Sequence, residues 1–143
     1  MAWSSTFEIP IVPKPKGRPR MRVVGTYAQA YTPKETRQFE DTAAELIAKY
    51  SPPTLLVGPV SLFVVFVLPR PKRLYRKKDI EGLVHCFKKP DTTNLLKSIE
   101  DAIQKSGQVW SDDSQVQSIT AEKFYAEKNG KPRIILRIVG ELS

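Results

Sequence analysis

Apolar positions alternate from Trp3 to Val12 and set Phe7, Ile9 and Ile11 on one side of an extended chain, which predicts a strand. Further on, Phe39, Ala43, Leu46, Ile47 and Tyr50 recur at helical spacing. Ahead of them, Thr32-Pro33-Lys34-Glu35 reads as a helix start, with Thr32 as cap, Pro33 in the first turn and Glu35 completing a capping box. Ser51-Pro52-Pro53 ends that helix. The run VSLFVVFVL after Gly58-Pro59 is rich in β-branched and aromatic residues, and it predicts a central strand buried on both faces. Leu95, Ile99, Ala102 and Ile103 mark a second amphipathic helix, opened near Asp91 and stopped by Gly107. Gln115 to Tyr125 and Pro132 to Val139 read as two last strands, with Asn129-Gly130 between them as a hairpin turn. The order is approximately ββαβαββ: one α+β domain spanning 1–143, a mixed sheet with two main helices.

The segments between these elements are as telling. Prolines 10, 13, 15 and 19 forbid a helix or a central strand, so PKPKGRPR is an extended arm. Its Lys14, Lys16, Arg18 and Arg20, with Arg22 beyond, fall at alternate positions and would all face one way in an extended chain. Met21 to Tyr31 suggests a short hairpin around Gly25. Arg70 to Lys89 has no periodicity and reads as a mobile basic loop carrying Arg70, Lys72, Arg73, Arg76, Lys77, Lys78, Lys88 and Lys89.

The net charge of +8 over 143 residues favours a polyanionic partner. Two clusters without acids, on the arm and at Arg70–Lys78, sharpen that into an expected phosphate-binding surface, with Lys88 and Lys89 added just before Asp91. No apolar run is long enough to span a bilayer, and the first residues lack a signal-peptide pattern, so a cytoplasmic location is expected. Cys86 is the only cysteine, which excludes an internal disulfide and a cysteine-rich zinc site. His85 beside it could bind metal or act in catalysis, or form a surface pair without function.

Glycine-rich phosphate loops and a serine nucleophile elbow are both missing. Carboxylates and lysines remain, and these suit phosphodiester chemistry on a hard cation such as Mg²⁺. Each also has a structural explanation. Asp91 could cap its helix, directly or through Thr92 or Thr93; Asp112 and Asp113 could shape a turn; Lys97 could pair with Asp101 at i+4. From the residues alone, both readings stand.

The segments KPDTTNLLKSIEDAI and VWSDDSQV, with the PKGRPR arm and the late KFYA strand, resemble the RusA family of Holliday-junction resolvases. The likeness runs in order over most of the chain. It implies a small homodimeric endonuclease that depends on Mg²⁺, with Mn²⁺ a possible substitute, and cuts four-way DNA junctions symmetrically in recombination and repair. By position, Asp91 and Asp113 match metal-binding acids, Asp112 matches a neighbour in that site, and Lys97 matches the functional lysine. Asp91 and Lys97 are six apart, so Lys97 has to lean toward the N-terminus to serve the same site. One position departs from the pattern: Thr93 stands where the family commonly has a second Asp. Two other functions are therefore open, a DNA-binding protein of the same fold with weak or lost cleavage, and an unrelated basic nucleic-acid-binding module.

Overall fold

A computed structural model describes residues 1–143. Its strands are β1 (Ala2–Ile9), β2 (Arg20–Val24), β3 (Tyr27–Tyr31), β4 (Leu56–Leu68), β5 (Val84–His85), β6 (Val116–Tyr125) and β7 (Arg133–Leu142). The helices are α1 (Lys34–Ala48) and α2 (Thr92–Ser106). Five strands form one sheet in the order β1-β7-β4-β6-β5, while β2 and β3 make a separate two-stranded hairpin. Only the β4–β6 pairing is parallel; the others are antiparallel. The fold is thus the expected α+β domain with a mixed sheet and two helices. No helix is long and apolar enough to cross a membrane.

The two helices pack on each other, and their apolar stripes close the core against the sheet. Ala43 and Ile47 of α1 and Leu95, Ile99, Ala102 and Ile103 of α2 are fully buried, together with Leu62, Val64 and Phe66 of β4. Gly107 ends α2 in the left-handed region (φ 64°), where a side chain would be strained.

Several sequence expectations need correction. β4 is central, but it is not buried on both faces: Leu62, Val64 and Phe66 point into the core, while Phe63 is 39% exposed on the opposite face. Burial alternates with period two from Val60 to Phe66, and only the last residues, Phe66 to Leu68, form a continuous buried run. Asn129 and Gly130 do form a turn, with Asn129 at φ 62° and the Gly130 amide bonded to the Glu127 carbonyl. The turn does not make a hairpin, because β4 lies between β6 and β7. Nor does Thr32 cap α1. Pro33 holds the cap position at φ −55°, ψ 147°, and no side chain bonds the first turn there.

The Arg70–Lys89 stretch is not a free basic loop. Arg70 is buried and donates to the carbonyls of Leu74 (2.9 Å), Ile80 (2.7 Å), Gly82 (2.9 Å) and Ala126 (3.3 Å). A five-donor planar guanidinium can fasten several loop carbonyls at once, which lysine cannot. Cys86 is buried against the Lys88 carbonyl, and His85 packs its ring at 4.5 Å from Phe124.

Candidate nucleic-acid interface

The proline-rich arm is seated across both helices rather than extending into solvent. Ser98, buried on α2, donates its hydroxyl to the Lys14 carbonyl at 2.6 Å. The Lys16 amide donates to the Asn94 carbonyl at 3.0 Å, and the Gly17 amide donates to the Thr36 hydroxyl at 3.1 Å. Lys16 then reaches Glu40 at 2.6 Å and Asp101 at 2.9 Å, one acid from each helix. Burial alone would lower the Lys16 pKa, but the hydrogen bonds and charges of Glu40 and Asp101 outweigh it and hold the ammonium above the usual lysine value. Gly17 is required by proximity: a Cβ there would lie 2.5 Å from the Thr36 hydroxyl.

The seating corrects the expectation that all the arm's cations face one way. Lys16 turns inward as a fastener, and Arg70 is likewise taken up inside its loop. Lys14, Arg18 and Arg20 remain exposed, as do Lys72, Arg73, Arg76, Lys77, Lys88 and Lys89. Two of these are partly engaged. Arg73 lies over the Tyr125 ring, and Arg76 pairs with Asp79 at 3.4 Å.

Beside the seated arm opens a groove of about 520 Å³, lined by Pro15, Arg18, Lys89, Pro90, Asp91 and Asn94. A second groove of about 410 Å³ shares Pro15 and Arg18 and continues past Lys14 and Arg20. Asp91 occupies the N-cap position of α2, yet its side chain makes no capping hydrogen bond. The segment before it is pinned from β6, where Lys123 donates to the carbonyls of Lys88 (2.6 Å) and Pro90 (2.7 Å). An exposed carboxylate left free by its helix thus lines the same groove as two cations, Arg18 and Lys89.

The second acidic element is built by its neighbours in the WSDDSQ stretch. Buried Trp110 donates its indole N–H to Gln104 of α2 at 2.7 Å, and Gln104 donates in turn to the Ser111 carbonyl at 3.2 Å. The Gln115 amide oxygen accepts from the Ser111 and Asp112 backbones (3.0 and 3.1 Å), while its nitrogen donates to the Leu56 carbonyl at 2.9 Å. Asp112 accepts from the Ser114 hydroxyl at 2.6 Å, chiefly for which reason its pKa is held below the usual carboxylate value. Asp112 therefore shapes the turn, and half-buried Asp113 follows it.

Asp113 lies near Glu100, a residue not singled out in the sequence. Burial raises the Glu100 pKa; Lys97 opposes this, and the charges of Asp113 and Asp101 add to it. Glu100 is nine residues from Asp91, roughly 13 Å along a helix rising 1.5 Å per residue. Asp91 and Asp113 thus address different levels of α2. Within one chain, no group of three or more His, Cys, Asp or Glu side chains is placed to hold a metal ion. Lys97 does not lean toward Asp91; it pairs with Asp101 at 3.2 Å, and its side chain is 56% exposed. Thr93 is exposed in the first turn.

Asn94, Ser98 and Lys123 also build this candidate interface; they fall in the segments that carry the resemblance, but their roles were not singled out in the sequence. Their partners are backbone groups distant in the chain: the Lys14 carbonyl for Ser98, the Lys16 amide for the Asn94 carbonyl, and the Lys88 and Pro90 carbonyls for Lys123, and no local pattern encodes those.

Comparison with known proteins identifies a family and a relative. The sequence profile of the family described as endodeoxyribonuclease RusA matches residues 10–139. A Bacillus subtilis (strain 168) protein, "Uncharacterized protein YqaN", is 30% identical over 131 residues, covering 88% of this chain and 89% of that protein.

Proposed function

We propose that this chain, which belongs to the RusA family of endodeoxyribonucleases, cuts four-way DNA junctions with the aid of a divalent cation, Mg²⁺ or in its place Mn²⁺. The observation that carries this reading is the uncapped Asp91 carboxylate, in a groove lined also by Arg18 and Lys89. A carboxylate there lowers the local positive charge and would weaken a site meant for phosphate alone. It suits a site where Asp91 would hold a divalent cation.

The acids suit such an ion in kind. Mg²⁺ takes oxygen donors, keeps several waters and needs only one or two protein carboxylates. Asp91 would hold it in the groove; Asp113, presented by the turn that Asp112 shapes, stands at another level of α2 and does not share that ion within one chain. When bound, the ion supplies polarisation of the phosphoryl group and an activated water.

The chain's own residues do the rest. Lys14, Arg18, Arg20 and Lys89 bind the backbone phosphates along the two connected grooves. Lys97, held only by an exposed ion pair, is free to exchange Asp101 for a phosphate oxygen, since such pairs contribute little. Cutting opposed strands of a two-fold symmetric junction calls for two copies, so the working form is a homodimer. Light scattering tests that directly.

The function is tested by comparing a labelled junction with linear duplex and with RNA of matched length in Mg²⁺ buffer. Nicking confined to the junction supports the proposal. Junction binding without nicking would mean a DNA-binding protein of this fold that has lost cleavage. Equal binding to all three would mean a general basic nucleic-acid-binding module.

A further inference from the structure

The β2–β3 hairpin takes no part in the core. Its strands pack chiefly on each other, and every residue from Arg20 to Ala30 is exposed. A lone two-stranded hairpin is marginally stable in water, so one held out in solvent calls for a binding partner. Antiparallel partners share a face, and the register divides this hairpin in two. Arg20 opposite Tyr31, Arg22 opposite Gln29 and Val24 opposite Tyr27 form a cationic and aromatic face. Arg22 there donates to Gln29 at 3.0 Å and lies 5.4 Å over the Tyr31 ring. Met21 opposite Ala30 and Val23 opposite Ala28 form the other face, which is wholly apolar. Met21 is 63% exposed and Val23 78%.

We infer that this hairpin is a wedge that enters the open centre of a branched DNA. Its Met21–Val23–Ala28–Ala30 face lies against unstacked bases, while Arg20 and Arg22 hold the flanking phosphates. The inference rests on the junction reading above and adds how a branch point is recognised. Charge selects the partner. From Ile9 to Lys34 the chain contains no Asp or Glu, but it carries Lys14, Lys16, Arg18, Arg20, Arg22 and Lys34. Apolar side chains framed by arginines suit DNA whose base faces are exposed, and such wedges offset the cost of unstacking by wider contact.

A second copy of the chain fits less well. Four small side chains fall short of the roughly 800 Å² that each partner buries in a stable interface. Packing two such faces together would also bring like-charged arginines into proximity. Location supports DNA as well. Arg20 opens β2 and lines the groove that continues from the one holding Asp91, so the wedge begins where the proposed cleavage groove ends.

The test uses the full chain and a synthetic four-way junction with 2-aminopurine beside the branch point, in metal-free buffer so that binding occurs without cleavage. Wild type at saturation should raise the fluorescence severalfold as the bases unstack. The double variant Met21→Ser, Val23→Ser alters exposed positions only, so its melting temperature should match wild type. At saturation it should bind the junction with little or no fluorescence rise, and it should lose preference for junction over duplex. An equal rise in the double variant would overturn the wedge. So would a loss of dimer in that variant by light scattering, which would mark the face as a protein interface. Wild-type binding with no rise would defeat the wedge alone. Failure of wild type to bind the junction would defeat the functional reading and the wedge with it.

Discussion

Lys16 of the arm lies 2.9 Å from Asp101 of α2, through one carboxylate oxygen, while Lys97 takes the other at 3.2 Å. The contact links the arm, the second helix and the lysine matched to the family's functional one. Thr36, Glu40 and Ser98, three of the four buried polar or charged residues, each bind this same arm. These three side chains thus serve to seat the proline-rich arm.

Lys16 should therefore act on stability more than on DNA affinity. Lys16→Met leaves buried Glu40 without its cation and should destabilise the fold by roughly 1–3 kcal/mol, the cost of an unsatisfied buried group. The raised pKa fixes the sign of the pH effect. The Lys16 contribution is fully present below 10.5 and is lost as pH rises through its higher folded value. Urea melts of both proteins across the alkaline range should converge. A constant difference at every pH would contradict the ion-pair account.

The arginines divide in the opposite way. Arg18→Ala with Arg20→Ala should leave the melting temperature nearly unchanged and reduce the slope of log affinity against log salt by about 0.9 for each phosphate no longer neutralised. Arg70→Ala should do the reverse, melting early with the salt slope intact, because its guanidinium binds four carbonyls. Equal salt slopes for wild type and the arm variant would remove the arm from the interface.

Those two arginine groups mark what was legible in the sequence. The α2 stripe from Leu95 to Ile103, its stop at Gly107, the exposed hairpin around Gly25 and the proline-rich arm were all readable, since each depends on local backbone chemistry. Arg70 and Lys16 looked like their neighbours because charge is visible in a sequence and its partner is not. Asn129-Gly130 signalled a turn correctly, but no local signal shows that β4 intervenes between the strands it joins. The candidate acids were legible by type and by resemblance. Their separation along α2, with Asp91 at its first end and the Asp112–Asp113 turn tied through Trp110 to Gln104 near its last, came only from the fold.

Thr93 gives a graded test. It is exposed in the first turn of α2, two residues after Asp91, and Asp91 rather than Thr93 holds the cap position. Thr93→Asp should lower the Mg²⁺ concentration for half-maximal cleavage, and wild type should work better with Mn²⁺, which binds such oxygen donors more tightly. A titration that does not move, or that shifts to higher Mg²⁺, would show that position 93 does not face the ion.

Asp91→Asn separates chemistry from folding. Because the Asp91 side chain makes no capping bond, the substitution should change stability by no more than about 0.5 kcal/mol, as for an ordinary surface position. Junction affinity should hold or improve as negative charge leaves the groove. A large loss of stability would show that the carboxylate holds the helix.

The most direct measurement is cleavage of a mobile synthetic four-way junction by wild type and by Asp91→Asn, each with and without Mg²⁺, the products being mapped on all four strands. The predicted result is paired nicks at symmetric positions on two opposed strands, made by wild type in Mg²⁺ alone. Nicks that persist without a divalent ion, or that Asp91→Asn makes at the wild-type rate, would contradict the account.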